Sequence, residues 1–219
     1  NDQANSDGSF VFPIRESDLQ GSTRLTLPVV VEANTFSSEL IVTNWSQVKK
    51  TLHVELVADA VQTSDHRADF TLEIKPSEQV SIEDFVDFLR KSGTPGIGEK
   101  GPAYAGAIFV EVSEGDLTGI AVSARTSSPG GGGRFGGFYG GVQEGMAMLA
   151  SSGIYGLQQN TENRSNLAII NTGEFDSSID TFKIEIFDGE TGKLANTIDG
   201  INLNARGWKQ FGAILSQFT

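Results

Sequence analysis

Hydrophobic and polar residues alternate through much of this chain, and the alternation predicts β-strands. Over 36–44, Leu40 and Val42 fall on one face of an extended segment, whereas Ile41 and Thr43 fall on the other. Further strands, alternating or continuously apolar, are predicted at 25–32, 50–58, 70–74, 80–82, 103–112, 117–126, 154–159, 165–171, 181–188, 194–198 and 201–203. Short strands separated by turn residues in this way are typical of an antiparallel β-sandwich.

One segment has a helical period instead. The apolar residues of 83–91 recur at helical spacing, acidic residues begin the segment, and Arg90 and Lys91 end it, as the helix dipole favours. Gly93 is predicted to end the helix. The apolar residues of 208–215 have similar spacing and predict a second short helical element.

Two stretches of the chain share an order of residue types. Residues 38–44 read Ser-Glu-Leu-Ile-Val-Thr-Asn, and residues 165–171 read Ser-Asn-Leu-Ala-Ile-Ile-Asn. After a length change of three residues, 51–57 matches 181–187 in the same way. Two matched blocks in the same order indicate one β unit that is used twice.

These patterns divide the chain into four predicted segments: an N-terminal extension (1–24), a first β-sandwich repeat (25–126), a Gly-rich linker (127–145) and a second β-sandwich repeat (146–219). The linker prediction rests on eight glycines within fifteen residues. The fold class is therefore predicted as all-β, with two related antiparallel β-sandwich units in tandem, each with a short helix. A competing interpretation is one larger sandwich to which each repeat contributes one sheet.

The second repeat is shorter than the first, because the strands predicted at 103–126 have no counterpart in it. A sandwich without these strands would expose apolar edges. We therefore expect it to be truncated, or to be completed by residues 10–15, by strand exchange with a neighbouring chain, or by the first repeat.

The composition narrows the classes of function. The 219 residues include no cysteine, which excludes disulfides, thiolate zinc sites and cysteine nucleophiles. The formal net charge of −12 disfavours binding to nucleic acid and to anionic membranes. No apolar run reaches the roughly 18 residues that a membrane span needs, so neither nucleic acid nor a membrane span is expected.

Three short motifs carry a resemblance. Residues 134–139 read Arg-Phe-Gly-Gly-Phe-Tyr, 156–160 read Gly-Leu-Gln-Gln-Asn, and 164–171 read Arg-Ser-Asn-Leu-Ala-Ile-Ile-Asn, with 36–44 as a degenerate copy. This pattern resembles a tandem β-sandwich (immunoglobulin-like) module of exported bacterial proteins. The resemblance implies a secreted, periplasmic or cell-surface location and no known catalysis.

Three residues of these motifs are predicted to be structural. Asn44 and Asn171 each end a strand, where an Asn side chain can bond the backbone of its own turn. Arg164 precedes the strand of the second copy and could pair with a carboxylate or cap loop carbonyls.

Residues that could carry out chemistry are sparse. His53 and His66 are the only histidines, and no Gly-x-Ser-x-Gly motif accompanies them. The acidic residues of 83–87 could serve glycoside hydrolysis, but acids also stabilise a helix N-terminus. Oxygen-rich turns such as 188–190 could bind Ca²⁺. We expect no enzymatic activity and no cofactor, and we leave open the binding of Ca²⁺ to such turns.

Aromatic residues are the candidate binding surface. Tyr104, Phe135, Phe138 and Tyr139 lie in glycine-rich segments, where they could contact a ligand or partner. The leading hypothesis is a non-enzymatic, exported structural or adhesion module that binds a protein or glycan at a cell surface. The alternative is a carbohydrate-binding module with an aromatic platform drawn from Trp45, Tyr104, Tyr139 and Trp208. A hydrolase with an acidic site is the second alternative.

Overall fold

The computed structural model describes residues 13–59, 67–101, 103–130 and 132–216. The chain divides into two compact units, Asn1–Ala147 and Met148–Thr219. Its sheets are antiparallel and sandwich-like, and the described residues contain a single short α-helix. The predicted all-β class is therefore confirmed. Among these residues no helix is both long and apolar enough to cross a membrane.

The first unit is a sandwich of two antiparallel sheets. Its elements are β1 (Arg24–Ala33), β2 (Ser37–Asn44), β3 (Lys50–Ala58), β4 (Arg67–Ile74), β5 (Glu78–Ile82), α1 (Phe85–Lys91), β6 (Ala103–Val112), β7 (Ile120–Gly130), β8 (Gly133–Gly140) and β9 (Val142–Gln143). One sheet has the order β4-β3-β6-β1-β9 and the other has the order β5-β2-β7-β8. Both sheets come from one unit, so the interpretation with one sheet per repeat is wrong.

The core of this unit lies between the two sheets. Alternate residues of a strand point to opposite faces, which buries Leu52, Val54 and Leu56 of β3 at 0–2% exposure. Leu40 and Val42 of β2 belong to the same core. Apolar residues of α1 complete it, and the aromatic ring of Phe85 is fully buried.

The predicted Gly-rich linker at 127–145 is wrong for most of its length. This segment holds the end of β7, all of β8 and β9. Glycine has low strand propensity and removes the alternating pattern, so no strand is predicted from the residues of this segment. The hairpin forms because β8 pairs along β7, from Ser123 opposite Gly140 to Gly130 opposite Gly133.

The N-terminal extension at 1–24 is only partly described. Arg24 begins β1, and a 3-10 turn at Glu16–Asp18 precedes the fully buried Leu19. Residues 10–15 are one of the segments expected to complete the second repeat, and the first three of them lie outside the described residues. Pro13 and Ile14 are exposed and are not in a strand.

The second unit has two pairs of strands. They are β10 (Leu167–Ile170) with β13 (Trp208–Phe211), and β11 (Asp180–Phe187) with β12 (Leu194–Leu203). Its core has four buried members, Ile201, Leu203, Phe211 and Ile214.

Two predictions about the second unit are wrong. Trp208–Phe211 is a strand and 212–215 is a turn, so the described residues of this unit contain no α-helix. Apolar residues three apart share one face of a helix but lie on opposite faces of a strand, so the spacing favours a helix. Pairing with β10 nevertheless makes this segment a strand. The strand predicted at 154–159 does not form.

Candidate functional site

The side chain of Asn44 connects the two sheets of the first unit. It is 0% exposed, and its Nδ2 donates to the carbonyl oxygens of Val48 (2.8 Å), Ile74 (3.3 Å) and Lys75 (3.0 Å). Its Oδ1 accepts from the backbone N–H of Ser46 at 3.0 Å and from the Ser46 hydroxyl at 2.7 Å. The end of β2 is thereby held to the end of β4 in the opposite sheet.

Asn171 makes a similar connection in the second unit. It is 5% exposed and is the residue that follows β10. Its Nδ2 donates to the carbonyl oxygens of Leu203 (3.1 Å), at the end of β12, and Ser178 (3.3 Å). Its Oδ1 accepts from the backbone N–H of Gly173 at 3.0 Å, two residues on, as in the first unit.

A pair of serines also has matching contacts. The Ser38 hydroxyl accepts from the backbone N–H of Val31 at 2.8 Å, and the Ser165 hydroxyl accepts from that of Gln158 at 2.9 Å. Both donors lie seven residues before the serine. The alternating pattern predicts no structural role for either serine, although each stands two residues before the matched leucine. Arg164 is exposed, in the loop before β10.

A charged cluster fixes the loop between α1 and β6. Arg90 donates to Glu32 at 2.5 and 3.1 Å, to Asp87 at 2.9 Å and to the Gly98 carbonyl at 3.0 Å. The hydrogen bond with Glu32 is the main cause that raises the pKa of Arg90. The ring centroid of Tyr104 lies 5.9 Å from the Cζ of Arg90, and the Tyr104 hydroxyl accepts from the Gly98 N–H at 2.6 Å. The candidate binding residue Tyr104 is thus 4% exposed and part of the interior.

Asp87, one of the acidic residues of 83–87, is held in ion pairs. The Asp87 carboxylate is paired with Lys91 at 2.7 Å and with Arg90 at 2.9 Å. The hydrogen bond from Lys91 is the main cause that lowers the pKa of Asp87. A general acid needs a raised pKa instead, so Asp87 is not suited to that part of a hydrolytic reaction.

The aromatic residues of β8 lie at a sheet edge. β8 is the outermost strand of its sheet, and half of its residues are glycine. Phe135 is 46% exposed, whereas Phe138 and Tyr139 are half-buried. Tyr139 packs against the core of the first unit. The Arg134 side chain folds back along the hairpin and donates to the Ser127 hydroxyl at 2.8 Å.

The aromatic platform of the carbohydrate-binding alternative is not assembled. Trp45 is 40% exposed, but Tyr104 and Trp208 are each only 4% exposed. Half of the four proposed platform residues are therefore unavailable to a sugar ring.

The acidic turn proposed for Ca²⁺ satisfies its own hydrogen bonds. The Asp188 carboxylate accepts from the Thr191 N–H at 2.7 Å and from the Thr191 hydroxyl at 2.6 Å, and these bonds lower the pKa of Asp188. Across the described ranges, no group of three or more His, Cys, Asp or Glu residues could hold a metal ion. His66 lies outside the described residues, and His53 is half-buried on β3.

Two strands of the second unit have edges whose counterparts within the first unit are paired. Each of β10 and β11 pairs with one strand in the described part of this unit, whereas β2 and β3 each pair with two. Residues 151–158 correspond in position to β1 through the matched serines. Ile154 and Leu157 are 64% and 36% exposed there, and the corresponding Leu27 and Val30 are 0% and 1% exposed.

Comparison with known proteins adds little to this description. No family model matches the chain, and no curated protein matches it. A crystal structure described as Thermotoga maritima 1070 is similar, with 13% sequence identity and a TM-score of 0.40. The similarity covers 58% of this chain and 98% of that chain. A TM-score at this level supports no conclusion about fold or function.

Proposed function

We propose that this chain is a non-enzymatic structural or adhesion module of an exported bacterial protein, and that it binds its partner through β8. The observation that carries the proposal is the composition of this edge strand. Natural sheet edges are usually protected by charges, proline or bulges. β8 instead presents glycines and the exposed side chain of Phe135.

The opposite sheet provides the contrast. Its edge strand β4 exposes three charged side chains, Arg67, Asp69 and Glu73. Charges of this kind oppose the addition of another strand, because pairing would bury them beside a second backbone. On β8 the one charged side chain, Arg134, is already directed to Ser127. The two edges are therefore unequal in their capacity to accept a partner.

The mode of binding that fits such an edge is strand addition. An extended polypeptide supplies main-chain hydrogen bonds, and pockets or exposed side chains select its sequence. Of the two partner classes, protein and glycan, this favours protein, with Phe135 as the apolar contact.

We further infer that the two units are copies of one immunoglobulin-like β unit. The inference is supported by the matching contacts of Asn44 with Asn171 and of Ser38 with Ser165. The polar residues of the shared motifs are then used to hold strand ends together, which leaves them no catalytic part. The exported location follows from the resemblance of those motifs.

Adhesion of cells that display the chain tests the proposal. Cells displaying it should adhere several-fold better to protein-coated surfaces than cells without it, and Phe135→Asp should abolish the gain. Val48→Asp is the matched control, because Val48 is an exposed apolar residue (56%) in the loop between β2 and β3. Equal adhesion with and without the displayed chain would contradict the proposal, as would hydrolysis of a glycoside or ester by the purified chain.

A further inference from the structure

The open edges of β10 and β11 lie on corresponding sides of the second unit. In the first unit β3 pairs with β4 on one side and β6 on the other, and β2 pairs with β5 and β7. In the second unit β11 pairs with β12 and β10 pairs with β13, which fill the positions of β4 and β5. In the described part of the second unit, the sides that β6 and β7 occupy in the first unit are the open ones.

The core-facing side chains next to this opening are incompletely covered. Phe182, Ile184 and Ile186 of β11 are only partly buried. Their counterparts on β3 are 0–2% exposed because β6 and β7 complete the sandwich around them. The second unit therefore presents two strand edges and an apolar strip between them.

We propose that the second unit binds a second copy of itself through these edges. A two-fold axis perpendicular to both sheets sets β11 antiparallel to β11 of the second copy. The same axis sets β10 antiparallel to β10 of the second copy. The result is a closed sandwich with four strands in each sheet, close to the five and four of the first unit. Every neighbouring pair is antiparallel, as in the first unit, so the strand directions agree with that template.

The charges on β11 select the register of this pairing. Core-facing residues must meet core-facing residues, so the symmetry centre falls on a residue and not between two. A centre at Ile184 places Lys183 opposite Glu185 of the partner subunit on the outer face, and the pair occurs twice. It also places Phe182 opposite Ile186 of the partner subunit on the core face.

Neighbouring registers bring like charges together. A centre at Lys183 sets that lysine against its own copy, and a centre at Glu185 does the same with two carboxylates. Like charges directly opposite each other destabilise a strand pair. The arrangement of Lys183 and Glu185 around Ile184 is therefore complementary to itself in one register only.

This inference rests on the correspondence of the two units proposed above and is independent of adhesion through β8. Adhesion is measured with cells that display the chain or its Phe135 variants. Self-association is measured with the purified full chain, so either proposal can fail while the other holds.

Sedimentation velocity of the full chain over a range of concentrations tests the dimer. We expect a monomer–dimer equilibrium whose Kd rises about tenfold in Lys183→Glu or Glu185→Lys, since each variant makes the two attractive pairs between subunits repulsive. Each variant also removes the 2.8 Å ion pair between Lys183 and Glu185 of the same strand, in monomer and dimer alike. The double variant K183E/E185K restores both pairs and should return the Kd to near the original value. Lys49→Glu is the matched control, because it breaks an exposed ion pair of the first unit and should leave the Kd unchanged.

Hydrogen exchange identifies the edge that is covered. Dimer formation should slow exchange in 167–170 and 181–187 and leave 151–158 unchanged. A chain that stays monomeric at every concentration overturns the proposal, as does association that the double variant does not restore. Slowed exchange in 151–158 of a monomer also overturns it. In that case one strand would lie between 151–158 and β11, as β6 lies between β1 and β3, and it would fill the opening without a second copy.

Discussion

A Cβ atom on Gly136 would lie 2.0 Å from the carbonyl oxygen of Thr126 and 2.7 Å from the Cα of Ser127. Both contacts are with the neighbouring strand β7, so the obstruction cannot be relieved by turning a side chain. Glycine at this position is therefore a requirement for the close approach of β8 to β7. The edge proposed to bind a partner depends on it.

Gly136→Ala should displace β8 from β7. We expect the free energy of unfolding of the first unit to fall by about 1–3 kcal/mol, as for other overpacked sites, and adhesion by displayed cells to fall with it. Gly140→Ala is the matched control on the same strand, because nothing lies within 4 Å of its added carbon. Urea unfolding measures both, and equal stabilities for the two variants would contradict the close approach.

Removal of the Asn44 side chain should weaken the connection between the sheets. Asn44→Ala leaves carbonyl groups of Ile74, Lys75 and Val48 without this donor, and we expect a loss of about 2–3 kcal/mol in the free energy of unfolding. Asn44→Asp should cost more, because a carboxylate would face those carbonyls. Gln79→Ala is the control: this exposed residue should change stability by less than about 0.5 kcal/mol. Chemical denaturation provides the measurement.

The geometry around Arg90 predicts that lysine cannot replace it. Arg90→Lys keeps the charge but loses the two-point contact with Glu32 and the bond to the Gly98 carbonyl, so we expect about 1–2 kcal/mol of destabilisation. Lys91→Ala breaks an ion pair whose lysine side chain is 78% exposed, and it should have little effect. Amide exchange in 94–101 should quicken only in Arg90→Lys. Unchanged exchange there would show that the cluster does not hold the loop.

Acid should remove a defined part of the stability through Asp116. Its pKa is lowered mainly by the hydrogen bond from the Gly21 N–H, at 2.9 Å, and then by Thr118. A carboxylate with a lowered folded-state pKa stabilises the fold above its usual value of 3.8 and loses this effect as the pH falls through the folded value.

The measurement compares the chain with Asp116→Asn. The chain should be the more stable of the two at about pH 6, and the difference should shrink towards about pH 2. The other carboxylates with lowered pKa, those of Asp87, Asp176 and Asp188, are present in both proteins and cancel from the comparison. A difference that is constant with pH would show that Asp116 owes nothing to its charge.

The sequence predicted the strands whose two faces differ in polarity. β2, β3 and β11 alternate clearly, because one face meets a core and the other meets solvent. It failed at β8, where glycine removes the pattern, and at β13, where two apolar residues three apart gave a helical interpretation. Pairing with β7 and with β10 decides these two strands, and pairing between distant segments leaves no local signal.

The candidate site was predictable only in part. Asn44 and Asn171 could be recognised because both stand at the end of a matched block, Asn44 as the last residue of β2 and Asn171 just after β10. Tyr104 was expected on the surface, yet it is buried, since its environment depends on Glu32, 72 positions earlier in the chain, through Arg90. Contacts between residues that are so far apart along the chain cannot be predicted from the residues around Tyr104.

The small core of the second unit has a mechanical consequence. Four buried side chains hold it together, against a far larger set in the first unit, so a chain that is pulled at its ends should yield there at lower force. Stretching of single molecules would record a weak event followed by a strong one. If the chain has the proposed role in adhesion, the second unit would unfold and lengthen the chain under sudden load. The first unit, which carries β8, would then stay folded.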